Sequence, residues 1–308
     1  MGNIKRVIVI GAGAIGGYFV SRFLETDGFA TAVAARGQRR KRLETEGLVV
    51  NGKKYNVPVV DPDEADSPSD LIIVAVKNHH LADAVNNLEK LVSNHTTFIS
   101  VMNGLDSEDY IGSIYGMDKV LYAISVGIVA IREENRITYI NPGLHYFGEK
   151  SNTKISQNVK KVQEAFERAG IYYKTPPDMV RMLWWKFMIN VGINQASAVM
   201  HAPYSVFQTD PEARGFMESL MREVTNLAEA VDINLVEKDI TSWYPVLDKL
   251  APNGKTSMLQ DIEAGRKTEV EAFGGEVVSL GKAHNIPTPV NQTVVNIIHV
   301  LERNTGKT

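Results

Sequence analysis

Short apolar runs alternate with helical patterns over the first half of the chain, and long helical patterns alone fill the second. Val7-Ile8-Val9-Ile10 breaks into Gly11-Ala12-Gly13-Ala14-Ile15-Gly16, after which Tyr18, Phe19, Phe23 and Leu24 recur at helical spacing. The pattern predicts strand, tight turn and helix. Asp27-Gly28 stops that helix, and Phe29 to Ala35 reads as a second strand ending at Arg36. Gln38 to Gly47 reads as a charged helix. Leu48 to Val60 holds Asn51-Gly52 between extended segments, a hairpin signal. Leu71 to Val76 is continuously apolar, as a strand buried on both faces requires, and it ends at Lys77. A helix is expected over Leu81 to Val92, then a strand over Thr96 to Val101 that ends at Asn103-Gly104. Val120 to Ile131 reads as extended. Two strands, Arg136 to Ile140 and Leu144 to Phe147, flank Asn141-Pro142-Gly143. An amphipathic helix over Lys154 to Ala169 and a last strand over Ile171 to Lys174 close at Pro176-Pro177.

This alternation predicts an α/β fold, a Rossmann-like doubly wound parallel sheet. From Met179 the β-rich runs stop. Helices are expected over Met179 to Met200, Pro211 to Ala230, Val236 to Leu250, Thr256 to Ala283 and Pro289 to Arg303. The boundary is placed near Pro177, with domains at 1–177 and 178–308, the second all-helical.

Composition narrows the classes. At 308 residues, 44% hydrophobic and 22% charged, the chain is ordinary for two globular domains. A net charge of −3 lacks the basic excess of a nucleic-acid binder. The absence of cysteine excludes disulfides, thiolate catalysis and cysteine metal sites, and suits a reducing compartment, so a cytoplasmic protein is expected. No apolar run reaches membrane-spanning length, so no membrane role is expected. Lys5-Arg6 before an apolar stretch imitates a signal peptide, but the glycines and the following Arg22 and Glu25 argue against one. Met1-Gly2 lacks the Ser or Thr at position 6 that myristoylation prefers. No metal site is expected: His79 and His80 are adjacent and should point apart, and the other histidines lack ligand spacing.

The glycine run carries the first chemistry. Gly11 permits the turn, Gly13 lets a pyrophosphate approach the backbone, and Gly16 lets helix and strand lie close. The helix N-terminus then offers free N–H groups and partial positive charge to phosphates. Ligands of open α/β sheets bind beyond the carboxyl ends of the strands, where Arg36, Lys77 and Asn103 also fall. The segment after strand two is Arg36-Gly37-Gln38-Arg39-Arg40, without an acid until Glu44. An arginine there suits a ribose 2′-phosphate, so NADP is expected over NAD. Arg40, Lys41 and Arg42 read as a solvated helix face.

In the second half, Lys186, Asn190 and Asn194 lie along one side of an otherwise apolar helix. Spacing alone divides evenly between a functional row and a snorkelling lysine with two asparagines bonding neighbouring helices. It does not choose among Glu263, Glu269 and Glu271.

These residues resemble those of the ketopantoate reductases (2-dehydropantoate 2-reductases) over nearly the whole chain. The match comprises Gly11 to Gly16, Val76-Lys77, Asn103-Gly104, Trp185-Lys186 with Asn190 and Asn194, Ser257-Met258-Leu259-Gln260-Asp261 and Arg266-Lys267-Thr268-Glu269. The resemblance implies reduction of ketopantoate, a small 2-oxo acid, to pantoate with NADPH, in pantothenate biosynthesis. It implies Lys186 as proton donor, Glu269 as the acid near the nicotinamide and the new hydroxyl, and Asn190, Asn194 and Ser257 as substrate contacts. It places Asn103 against both ligands, Lys77 and Arg36 on the cofactor phosphates, and Ala130 on the cofactor through its backbone. Tyr204 stands where some members have Asn, and Asn253 is shifted, which alters the substrate pocket. A reductase of another 2-oxo acid and a non-catalytic NADP sensor are the alternatives. A homodimer is the assembly entertained.

Overall fold

The computed structural model describes residues 3–305, so the Met1-Gly2 acylation question lies outside them. The chain divides into two compact units, Met1–Val180 and Arg181–Thr308.

The first unit carries strands β1 (Arg6–Ile10), β2 (Ala30–Ala34), β3 (Leu48–Val50), β4 (Lys53–Tyr55), β5 (Val59–Val60), β6 (Leu71–Val74), β7 (Thr97–Ser100), β8 (Val120–Val126), β9 (Val129–Glu133), β10 (Arg136–Asn141), β11 (Leu144–Gly148) and β12 (Tyr173–Lys174). Its helices are α1 (Ala14–Leu24), α2 (Gly37–Glu46), α3 (Leu81–Val85), α4 (Ser107–Tyr115) and α5 (Gln157–Arg168). Eight strands form one sheet in the order β12-β11-β8-β7-β6-β1-β2-β5. From β8 through β5 every pairing is parallel, and β11 runs antiparallel to β8.

The β-branched runs fit because both faces are covered. Val7, Val9, Leu71 and Ile73 enter one core with Phe19, Phe23 and Phe166 of α1 and α5. Ile8, Ile10, Ile72 and Val74 enter the opposite core with Leu81, Val85 and Ile111 of α3 and α4. This is the period of two expressed through a sheet buried on both sides.

Several local expectations are corrected. Asn51-Gly52 does turn a hairpin, but only between β3 and β4, and β5 leaves it to pair with β2. β3 instead joins β4, β10 and β9 in a second, four-stranded sheet that packs on α1. The helix expected over Leu81 to Val92 ends at Val85, where Asn86 turns extended, φ −67°, ψ 143°, and Asn87 follows in a left-handed conformation, φ 63°. The missed helix α4 follows Asp106 and has acids in its first turn, as a helix start favours.

Glu108 and His145 are buried titratable groups of this unit. Ser107 Oγ donates to Glu108 Oε2 at 2.8 Å, and the Ser100 and Ser107 hydroxyls lie 2.7 Å apart. Burial pushes the Glu108 carboxyl up to about 7. His145 on β11 bonds Ser125 Oγ through Nδ1 at 2.8 Å and stacks on Tyr18, and burial lowers its pKa to about 4.

The second unit is helical among its described residues: α6 (Met179–Met200), α7 (Tyr204–Thr209), α8 (Pro211–Ala230), α9 (Glu237–Thr241), α10 (Tyr244–Leu247), α11 (Ser257–Glu263), α12 (Gly274–His284) and α13 (Pro289–Thr305). α6, whose first turn precedes the division, is mostly apolar and largely buried. Met221 Cε would stand 2.5 Å from a Cβ at Gly192, so this glycine lets α8 approach α6. Buried Glu223 accepts the backbone N–H groups of Val290 and Asn291 at 2.8 and 2.9 Å, capping α13. Two of the expected helical spans are broken. Val236 to Leu250 becomes α9 and α10, and Thr256 to Ala283 is interrupted at Gly265, φ 61°, a left-handed position that glycine takes at no steric cost. Among the described residues no helix is long and apolar enough to cross a membrane.

Candidate active site

In the first unit, parallel pairing brings the carboxyl ends of β1, β2, β5, β6 and β7 to one edge. Gly11 follows β1 with φ 97°, and a Cβ there would meet the Ala75 carbonyl oxygen at 2.5 Å. At Gly16 a Cβ would run into the Gly11 carbonyl, so the close fit is within the loop itself rather than against the strand. A Cβ at Gly13 would meet nothing within 4 Å. Gly13 caps α1 without a side-chain bond, and no acid lies in the helix's first turn. Ala12, Ala14 and Ile15 complete the loop and add no polar side chain. Open space over bare N–H groups at a helix N-terminus fits a dinucleotide pyrophosphate.

Arg36, Lys77 and Asn103, all half-buried, follow β2, β6 and β7 on this edge. Arg36 is not a bare phosphate ligand. Its Nε and Nη2 donate to Asp63 at 2.9 and 3.0 Å, and Nη2 also donates to the Asn87 carbonyl at 3.0 Å. The Asp63 bond holds the guanidinium pKa up, and Arg36 holds the Asp63 carboxyl down. The absence of acid before Glu44 was therefore true of the segment and not of the space around it. Asp61 and Asp63 follow β5, which runs parallel to β2, and so emerge beside Arg36. An apolar Val59-Val60 pair ahead of Asp61-Pro62 was the signal available. Arg40, read as solvated, pairs with Glu44, Asp61 and Glu64. A cavity of about 300 Å³ here is lined by Gly11, Ala35, Arg36, Arg39, Pro62 and His80.

Ala130 lies shortly after β8, opposite Tyr139 in the second sheet, and not on the edge strands that carry the other residues. His79 and His80 do not point apart. A tight turn over Asn78–His80 brings their ring centroids to 4.3 Å.

In the second unit, α6 carries Lys186, Asn190 and Asn194 in sequence along one side. Asn194 Nδ2 donates to Asn190 Oδ1 at 3.4 Å. Ser257, the first residue of α11, donates its hydroxyl to Asn194 Oδ1 at 3.1 Å, and the Met258 N–H reaches the same oxygen at 3.4 Å. Three of the expected substrate contacts thus form one chain across two helices. Lys186 is half-buried one turn before Asn190, and burial lowers its ammonium to about 8. Glu269 is half-buried at the turn before residues 270–272. Its neighbour Thr268 anchors that turn, donating backbone N–H and hydroxyl to Glu302 at 2.8 and 2.7 Å. Asp261 accepts from Arg266 Nε at 2.8 Å, which closes the chain reversal after α11.

Residues 7–152 match the family Ketopantoate reductase PanE/ApbA, and residues 178–302 match its C-terminal domain. The chain belongs to the ketopantoate reductase PanE/ApbA family. Membership makes it an oxidoreductase that acts on a CH–OH group with a nicotinamide cofactor. It is similar to the 2-dehydropantoate 2-reductase of Aquifex aeolicus, at 24% identity over 97% of each chain. Its fold is that of a D-mandelate dehydrogenase solved with NADH and anilino(oxo)acetate, TM-score 0.89 at 20% identity over 98% of this chain and 100% of that one. A dimeric ketopantoate reductase from Staphylococcus aureus gives TM-score 0.81 at 19% identity over the same shares.

Proposed function

We propose that this reductase converts 2-dehydropantoate to pantoate with NADPH, with Lys186 as the proton donor. The observation that carries the reading is the row of Lys186, Asn190, Asn194 and Ser257. It sets one cation beside a hydrogen-bonded polar strip on an apolar helix. A bound NADPH supplies the hydride that goes to the keto carbon. As that bond forms, negative charge grows on the keto oxygen. Lys186 faces that charge with an ammonium and gives up its proton to form the hydroxyl. A pKa of about 8 keeps it charged at neutral pH and makes it a better acid than an ordinary lysine. Asn190, Asn194 and Ser257 hold the substrate's hydroxyl and carboxylate, and Glu269 orients the lysine or the product hydroxyl. Gly11 to Gly16 cradle the pyrophosphate; Lys77 and Arg36 take cofactor phosphates, Asn103 faces both ligands, and Ala130 offers its backbone. Pantothenate biosynthesis, a cytoplasmic location and a homodimer go with this reading; the cysteine-free sequence and the dimeric S. aureus relative support the last two.

A second reading is reduction of a different 2-oxo acid. Tyr204 favours it: a Cβ at Gly254 would meet the Tyr204 ring at 2.9 Å, so a bulky ring packs against the loop that leads to Ser257. Steady-state rates on a panel of 2-oxo acids, with NADPH and NADH side by side, separate the two.

The test of the mechanism is Lys186→Ala, expected to lower kcat on ketopantoate by about 10²–10⁴-fold. In the unmodified enzyme, activity should hold below pH 8 and fall above about 8 as the donor proton is lost. An unchanged kcat in the variant removes Lys186 from the reaction.

A further inference from the structure

The end of β2 is built as a balanced charge network rather than a phosphate clamp. Of the five N–H donors of Arg36, three are spent: Nε and one Nη2 hydrogen on Asp63, the other on the Asn87 carbonyl. Among the described residues, Nη1 has no hydrogen-bond acceptor. Asp61 stands 3.8 Å from Arg36 Nε and also meets Arg40 at 3.5 Å. Arg40 is divided further between Glu44 and Glu64. Lys90 donates to the Asp63 carbonyl at 2.6 Å, and Arg39 lines the same cavity as Arg36. The carboxylates of Asp61, Asp63, Glu64 and Glu44 thus pair with Arg36 and Arg40, with Lys90 and Arg39 close by.

We infer that Asp63 sets dinucleotide selectivity in this chain, holding down the affinity of Arg36 for a ribose 2′-phosphate so that NADH is accepted beside NADPH. The physical reason is twofold. The Asp63 carboxylate occupies the Nε–Nη2 edge of Arg36, one of the two edges by which a guanidinium grips a phosphate bidentately. It also places a negative charge beside the position that a phosphate of charge about −1.5 to −2 would take. A ribose 2′-hydroxyl feels neither penalty and can donate to a carboxylate. Asp63 acts here through Arg36 and is a positioning residue.

The inference rests on the nucleotide site of the proposed function and not on its keto acid. The experiment therefore reads binding alone, by calorimetry with adenosine 2′,5′-bisphosphate and with 5′-AMP. Asp63→Asn keeps the shape and removes the charge. It is expected to tighten adenosine 2′,5′-bisphosphate by about tenfold, since an exposed pair is screened but a like charge beside a phosphate is felt. Binding of 5′-AMP should change less than about twofold, because that probe lacks the discriminating group. The double variant Asp63→Asn, Arg36→Gln should lose the gain. Equal or weaker binding of the bisphosphate by Asp63→Asn would overturn the inference and make Asp63 a strut that aims Arg36. If the unaltered protein bound neither probe, the nucleotide site itself would fail, and the inference with it. Loss of turnover on ketopantoate with both probes still bound would touch only the proposed substrate.

Discussion

The Ser257 hydroxyl donates to Asn194 Oδ1 at 3.1 Å, joining the first residue of α11 to the middle of α6. The same oxygen takes the Met258 N–H, one of the donors that a helix start leaves without an intrahelical partner. One asparagine side chain therefore ties the two helices that carry the expected substrate contacts.

Asn194→Ala should therefore act on both stability and binding. It leaves a buried N–H and a hydroxyl without their acceptor, and it removes the donor to Asn190. A cost of about 1–3 kcal/mol is expected, with a rise in the KM for the keto acid. Ser257→Ala keeps the bond from Met258 and should cost under about 1 kcal/mol while still raising KM. Chemical denaturation and steady-state kinetics on both variants check this. An Asn194→Ala protein as stable as the parent would mean that the link carries no load.

Gly13 and Gly16 should separate binding from folding. Gly13 sits at φ −80°, ψ −165°, a conformation open to alanine, and nothing stands within 4 Å of its Cβ position. Gly13→Ala should fold with a loss of about 1 kcal/mol or less, the difference between two poor caps. Its methyl group occupies the space over the N–H groups, so NADPH binding should weaken by about tenfold or more. Gly16→Ala drives a Cβ into the Gly11 carbonyl and should cost several times as much stability. Cofactor fluorescence titration beside thermal unfolding distinguishes them. Unimpaired binding by Gly13→Ala would move the pyrophosphate away from this loop.

Periodicity made the first unit legible because a sheet buried on both faces writes itself as β-branched runs. Val7 to Ile10 and Leu71 to Val74 each send alternate residues into the two cores. What it could not show was which runs pair. Asp61 and Asp63 reach Arg36 only because β5 adds to β2, a relation between residues that no local window contains. Expected helices failed at particular backbone positions: Asn86 is extended and Asn87 left-handed after Val85, and Gly265 is left-handed after α11. The row of Lys186, Asn190 and Asn194 was readable from helical spacing alone. Its closure by Ser257 was not, since the partner lies 63 residues away. Family resemblance had supplied that grouping before the hydrogen bonds did.

Glu108 and His145 should give opposed pH dependences that partly cancel. Glu108 has its pKa raised to about 7 from 4.5, so the folded chain keeps a proton there that the unfolded chain releases. Its contribution is full below pH 4.5 and is lost as pH rises to about 7. His145 has its pKa lowered to about 4 from 6.5, so the unfolded chain binds a proton there that the folded chain does not. Its contribution is full above pH 6.5 and is lost as pH falls toward about 4. Between these limits each slope is about 1.4 kcal/mol per pH unit, of opposite sign. Glu108→Gln should therefore gain stability relative to the parent as pH rises from 4.5 to 7, by about 3 kcal/mol in all. His145→Gln should gain relative to the parent as pH falls from 6.5 to 4. Urea denaturation across this range, taken as the difference between variant and parent, isolates each group from the many surface carboxylates. A flat difference curve for Glu108→Gln would show that the buried carboxyl ionises as easily in the folded chain as in the unfolded one.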